Sequence, residues 1–155
     1  MTIYKELIEL LLSRNLHIST AESLTGGMLI SNLVSVPGAS GAVLGGFVTY
    51  CDEIKHKLLG VSCETLEKHG AISSETAYEM CLGAAERSGS EIALSTTGNA
   101  GPDCAEGKEA GLVYIGVNCL GAIQTYECHF KGDRQSVREQ AAQFAVRKCL
   151  EKLDQ

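Results

Sequence analysis

Apolar residues fall every three or four positions at Ile3, Leu7, Ile8, Leu11 and Leu12, a spacing that gathers them on one face of a helix. Thr2 is placed to cap that helix and Asn15 to end it. A short β-like run follows over residues 17–22, and helical character returns from Met28 to Val34 after two glycines. Pro37, Gly38 and Gly41 mark a loop, beyond which Val43 to Tyr50 reads as a buried strand. Asp52 to Leu59 and Glu64 to His69 read as short helices closed by Gly60 and Gly70. Ser73 or Ser74 caps a longer helix to about Ser88, with Glu75 in the first turn where the helix dipole favours an acid. Residues 91–97 form a third strand and 98–109 a loop. Gly111 to Asn118 and Ile123 to Phe130 pair as an antiparallel hairpin about Leu120-Gly121. Asp133 caps a final helix through Val137, Ala141, Phe144, Ala145 and Leu150. Helices alternating with strands and ending on a hairpin predict an α/β fold: one domain over 1–155, a three-layer α/β/α sandwich around a mixed sheet.

Composition narrows the function classes. A chain of 155 residues with 45% hydrophobic and 21% charged side chains is ordinary globular usage. It buries roughly 70% of its unfolded surface and needs no disulfide staple. The formal charge of −6, with no basic run, opposes a nucleic-acid surface, which depends on clustered Lys and Arg. Seven cysteines, an odd number without Cys-x-x-Cys spacing, and four scattered histidines support neither a zinc site nor a disulfide framework. Reduced thiols in the cytoplasm are the simpler expectation. The N-terminus lacks a signal-peptide pattern, and no apolar run approaches the ~18 residues that would span a membrane.

Three segments can carry chemistry. In the first, Ser23 follows a strand and precedes Leu24, Thr25, Gly26 and Gly27 at the start of a helix. Open α/β sheets place ligands at such strand ends, and helix-start amides stabilise anions. Ser23 there is either a helix cap or a nucleophile. No Gly-x-Ser-x-Gly elbow is present and each histidine is isolated, so the usual serine triad is not signalled. The second segment offers another proton acceptor: Tyr50 closes a strand, and Lys55 falls in the first turns of the next helix, where desolvation lowers the proton affinity of an amine. The third is Thr97-Gly98-Asn99-Ala100-Gly101, whose glycines let backbone amides face a ligand. It is not a P-loop, because Gly107-Lys108 is followed by Glu109 rather than Ser or Thr. Arg134 stands beside the last helix cap, free to meet an anion or to pair with an acid. Cys51 and Cys104 lie near these segments without the marks of activated thiolates.

Taken in order, these segments resemble the CinA C-terminal-domain family, the nicotinamide-nucleotide amidases. The matching blocks are Thr20 to Gly27, Gly46 to Tyr50 with Glu53-x-Lys55, Leu59-Gly60-Val61 and His69 to Ser73. They continue with Thr97-Gly98-x-Ala100-Gly101-Pro102, Gly111 to Gly116, and Phe130-x-Gly132-Asp133-Arg134 with Val137-Arg138. The resemblance implies metal-free and cofactor-free hydrolysis of the carboxamide of nicotinamide mononucleotide to nicotinate mononucleotide and ammonia. It makes Ser23 the nucleophile and Lys55 the general base, with Tyr50 in the proton network. The candidate substrate-binding residues, read from the segments themselves, are Thr25, Gly26, Gly27, Thr97, Gly98, Asn99, Ala100, Gly101 and Arg134. Amides of the helix after Ser23, or of the loop 98–101, then hold the oxyanion or the phosphate. The resemblance further implies a self-associating, cytoplasmic protein without a nucleic-acid or membrane partner, in a stand-alone form lacking the N-terminal domain of longer members. Asn99 replaces the family's usual aliphatic residue, and the loop 103–110 lacks its usual double glycine and Lys-Pro. Those departures keep open a non-catalytic nucleotide-binding or interaction module on the same fold.

Overall fold

In the computed structural model, which describes residues 2–155, the chain forms six α-helices and five strands. In order these are α1 (Ile3–Arg14), β1 (Ile18–Glu22), α2 (Met28–Val34), β2 (Val43–Val48), α3 (Asp52–Leu59) and α4 (Cys63–His69). They continue with α5 (Ser74–Ser88), β3 (Ile92–Gly98), β4 (Leu112–Cys119), β5 (Ala122–His129) and α6 (Arg134–Leu153). A 3₁₀ turn at Ala39–Gly41 precedes β2. The sheet order is β2-β1-β3-β4-β5. β1 runs parallel to both β2 and β3, whereas β3–β4 and β4–β5 are antiparallel, so the sheet is mixed and ends in the expected hairpin.

Helices α1, α2 and α6 cover one face, where Leu7, Leu11, Leu29, Val146 and Cys149 join the larger core. Helices α3 and α5 cover the other, with Leu59, Met80 and Ala84 packed beneath β1 and β3. The two helices pass so closely that a methyl group at Gly83 would overlap the Leu59 carbonyl oxygen. This contact seats α3 against the sheet. Among the described residues no helix is long and apolar enough to cross a membrane.

Thr2, Ser73 and Asp133 cap α1, α5 and α6 through their side chains, which settles the choice between Ser73 and Ser74. One boundary and one cap differ from the sequence pattern. β2 ends at Val48, so Tyr50 lies beyond the strand. Ser23 caps nothing, because α2 starts at Met28 with Gly27 as its cap residue, in the left-handed region at φ 102°. The helix itself keeps the bounds that its sequence pattern indicates, Met28–Val34.

The cap of α2 comes from a buried acid. One carboxyl oxygen of Glu22 accepts from the amides of Gly27 at 3.2 Å and Leu29 at 2.8 Å, and the other from Ile30 at 3.0 Å. Glu22 is fully buried, and Thr20 also donates to it, at 3.3 Å. Such a group answers the orphan N–H donors of a helix start and complements its dipole. Glu22→Ala leaves three amides without an acceptor, each worth about 1 kcal/mol or more. We expect it to lower Tm by about 6–12 °C on the scale of a domain this size. Thermal melts of the two proteins within 2 °C of each other would contradict this account.

Candidate active site

Because β1, β2 and β3 run parallel, Glu22, Val48 and Thr96 lie side by side in the register, and the segments leaving these strands gather at one edge of the sheet. Ser23 follows β1 directly, with its amide bonded to the Thr96 carbonyl at 3.0 Å. It is 9% exposed. Lys55 arrives from the next helix: α3 begins at Asp52, and Lys55 and Leu59 form its buried face. The Lys55 side chain is 1% exposed. Its Nζ donates to Ser23 Oγ at 3.0 Å and to the Thr49 carbonyl at 2.8 Å. Among the described residues no carboxylate lies within salt-bridge distance of Lys55. Burial pushes the proton affinity of Lys55 below the ordinary 10.5, while the negative charge of Asp52 works against that shift. An amine that sheds its proton more readily, in contact with a serine hydroxyl, is the local chemistry of a general base and its nucleophile.

The pair opens into a cavity of about 430 Å³. The Gly98–Gly101 segment forms one wall. Thr97 Oγ1 ties that wall to the Ala71 carbonyl at 2.7 Å. Asn99 clasps it: Nδ2 donates to the Lys108 carbonyl at 3.1 Å and Oδ1 accepts from the Gly101 amide at 3.1 Å. Arg134 closes the rim, donating through Nη1 to the Gly101 carbonyl at 2.8 Å and through Nη2 to the Tyr50 hydroxyl at 2.9 Å. The loop after Pro102 is strapped across by Glu106, which accepts from the amides of Ala71 at 2.9 Å and Ile72 at 3.0 Å. Lys108 reinforces the strap by donating to the carbonyls of His69 and Ile72.

Of the predicted residues, Ser23, Tyr50, Lys55, Thr97, Gly98, Asn99, Ala100, Gly101 and Arg134 all line this one cavity. Thr25, Gly26 and Gly27 do not. The Thr25 hydroxyl is buried against that of Thr96 at 2.7 Å, and the Gly27 amide is held by Glu22. Gly26 lies beneath the guanidinium of Arg138. The expectation that amides of α2 serve the ligand is corrected accordingly: Glu22 already occupies them. Tyr50 is 64% exposed, and its hydroxyl meets Arg134 rather than Ser23 or Lys55. Asn99 spends its amide on the loop that it belongs to, not on open space. Cys51 and Cys104 are both exposed free thiols. Sequence reasoning missed Glu22, Glu106 and Arg138. An acid directly before a Ser-x-x-Gly-Gly helix start was a usable sign for Glu22, whereas Glu106 acts on partners 34 and 35 residues away and left no local trace.

Lys55 also makes stability depend on pH. Its proton affinity is lower folded than unfolded, so the folded chain binds fewer protons between its own pKa and 10.5. The stabilising share is complete above 10.5 and is lost as pH falls through the folded value. Lys55→Met removes this term. The wild-type Tm minus the variant Tm is expected to rise from pH 7 to pH 10, and a difference that stays flat across that range would show that burial does not perturb Lys55.

Known proteins place this architecture. The model of the CinA C-terminal domain matches residues 1–153. A competence-damage inducible protein of Clostridium novyi is 46% identical over 140 residues, 90% of this chain and 34% of that protein. Its counterpart in Bacillus subtilis is 40% identical over 154 residues, 99% of this chain and 37% of that protein. The chain thus spans about a third of the length of these curated relatives. The crystal structure of a CinA superfamily protein from Klebsiella pneumoniae superposes with a TM-score of 0.95 at 36% identity, covering 98% of this chain and 96% of that one. A competence/damage inducible protein from Agrobacterium tumefaciens gives a TM-score of 0.90 at 34% identity, covering 100% and 98%. With the family model running almost end to end and solved structures superposing over nearly every residue, the chain belongs to the CinA C-terminal-domain family.

Proposed function

We propose that this protein is a serine amidase that hydrolyses the carboxamide of nicotinamide mononucleotide to nicotinate mononucleotide and ammonia in the cytoplasm. The observation that carries the reading is the 3.0 Å contact between Ser23 Oγ and the buried Lys55 Nζ, at the mouth of a cavity sized for a small nucleotide. In its neutral form Lys55 takes the Ser23 proton as Oγ adds to the carboxamide carbon. The resulting ammonium protonates the departing nitrogen, the C–N bond breaks, and ammonia leaves an ester on Ser23. Water then adds to that ester with Lys55 again accepting its proton, and Ser23 is released with the carboxylate product. Arg134 at the rim is assigned to the phosphate. Tyr50, through its bond to Arg134, positions that guanidinium. Asp52, which also lines the cavity, complements the positive pyridinium ring. The seven unpaired cysteines support the cytoplasmic placement.

Ammonia release from nicotinamide mononucleotide tests the proposal. Ser23→Ala is expected to abolish it, and Lys55→Ala to cut kcat by about 10² or more, the scale of general-base catalysis. Nucleotide binding without ammonia release by the wild type would support a binding module instead and overturn the amidase reading. The pH profile carries a second test. Activity is expected to rise with pH as Lys55 loses its proton. Asp52→Asn removes the charge that holds the proton on, so the rising limb is expected to move to lower pH. Movement to higher pH would show that Lys55 is not the base.

A further inference from the structure

Cleaving a carboxamide needs a place for the negative charge that forms on its oxygen, and the amides of α2 are not free to provide one. We propose that the oxyanion hole consists of two backbone N–H groups, those of Leu24 and Ala100, an assignment that rests on the serine-amidase reading above. Both residues line the cavity together with Ser23, and both are 4% exposed. Neither amide meets an acceptor among the described residues. Buried N–H groups without a partner are rare in folded proteins, and two such donors beside one nucleophile define a site for a ligand oxygen.

The direction of each N–H is set from behind. In a trans peptide the carbonyl and the following N–H point opposite ways. The Ser23 carbonyl accepts from the Gly26 amide at 3.1 Å, so the Leu24 N–H faces out of that turn. Arg138 fixes the turn by donating to the carbonyls of Leu24 at 2.8 Å and Thr25 at 3.1 Å. On the other loop, the Asn99 carbonyl accepts from the Gly111 amide at 2.7 Å, which turns the Ala100 N–H away from Gly111 and to the cavity side. The neighbouring donors are spent. The amide of Ser23 goes to Thr96, that of Asn99 to Leu112, and that of Gly101 to Asn99 Oδ1, while Pro102 has none. Among the buried loop residues that line the cavity, Leu24 and Ala100 are left with an amide that no protein group accepts.

In the reaction, the electron pair of the substrate C=O moves onto oxygen as Ser23 Oγ bonds to carbon, and the two N–H groups receive that charge. They release it when the C=O re-forms, the C–N bond breaks, and ammonia departs with the Lys55 proton. Asn99 acquires a role here as a positioning residue: its side chain removes the Gly101 donor and leaves Ala100 as the one that faces the substrate.

The test replaces a single N–H by an ester oxygen, using the α-hydroxy analogue of leucine at position 24 or of alanine at position 100, with every side chain intact. Each variant is expected to lose about 10²-fold in kcat, the loss typical of one oxyanion donor, with KM changed by less than about threefold. Each should melt only slightly lower: neither N–H gives up a protein partner, and the ester weakens only the acceptor carbonyl of Ser23 or Asn99. An unchanged kcat in either variant overturns the hole. The rate at which a fluorophosphonate labels Ser23 gives a readout independent of substrate, since its phosphoryl oxygen takes the same place; this rate should fall in both variants. Labelling of wild-type Ser23 without ammonia release would sink the choice of nucleotide alone, with the labelling rates still deciding the hole. A wild-type Ser23 that is not labelled overturns the hole as well.

Discussion

Everything at the active edge depends on a lysine held where water barely reaches it. An amine at 1% exposure with one hydroxyl and one carbonyl as acceptors is costly to keep charged. The fold supports that arrangement because α3 has no freedom to move away. Gly83 brings α5 against the Leu59 carbonyl, so the buried face of α3 is pressed toward the strand ends. The same burial weakens the grip of Lys55 on its proton, which is what the proposed role as base to Ser23 requires. On that proposal stability and reactivity oppose one another at this residue.

Around the pair, the molecule uses side chains to hold backbone in place. Glu22 gathers the start of α2, Arg138 holds the turn after Ser23, Asn99 folds the 99–110 loop onto itself, and Glu106 straps that loop to residues 71 and 72. Each is a charged or amide group answering peptide donors or acceptors that have no other protein partner in these bonds. The result is a cavity with one wall of backbone held in place by these bonds. This suits stabilisation of charge that develops during a reaction, because donors fixed in advance need no rearrangement.

Much of this was legible in the sequence. The helical spacing of α1 and α6, the capping residues Thr2 and Asp133, and the hairpin at Leu120-Gly121 are local signals, and the structure follows them. Ser23, Lys55 and the 97–101 loop share a site because parallel strands bring their C-terminal ends to one edge. What local pattern could not supply was the direction of individual groups. Ser23 resembled a helix cap because a serine before two glycines commonly is one, yet the cap came from the residue before it. Tyr50 was expected to close a strand and join the proton network, but β2 stops two residues earlier and its hydroxyl turns to Arg134, 84 positions away. Asn99 stood out as a departure from the family's usual aliphatic residue, with its side chain read as facing the ligand. Its side chain instead answers loop peptides at positions 101 and 108.

The central claim is that Ser23 becomes covalently bound to the acyl group of the substrate. Mass spectrometry of protein quenched during turnover of nicotinamide mononucleotide tests it directly, with proteolysis to locate the adduct. The account predicts a peptide containing Ser23 that carries the nicotinate-mononucleotide acyl group and loses it as turnover ends. Ammonia release with the adduct on another residue, or with none on any peptide at any quench time, would contradict it.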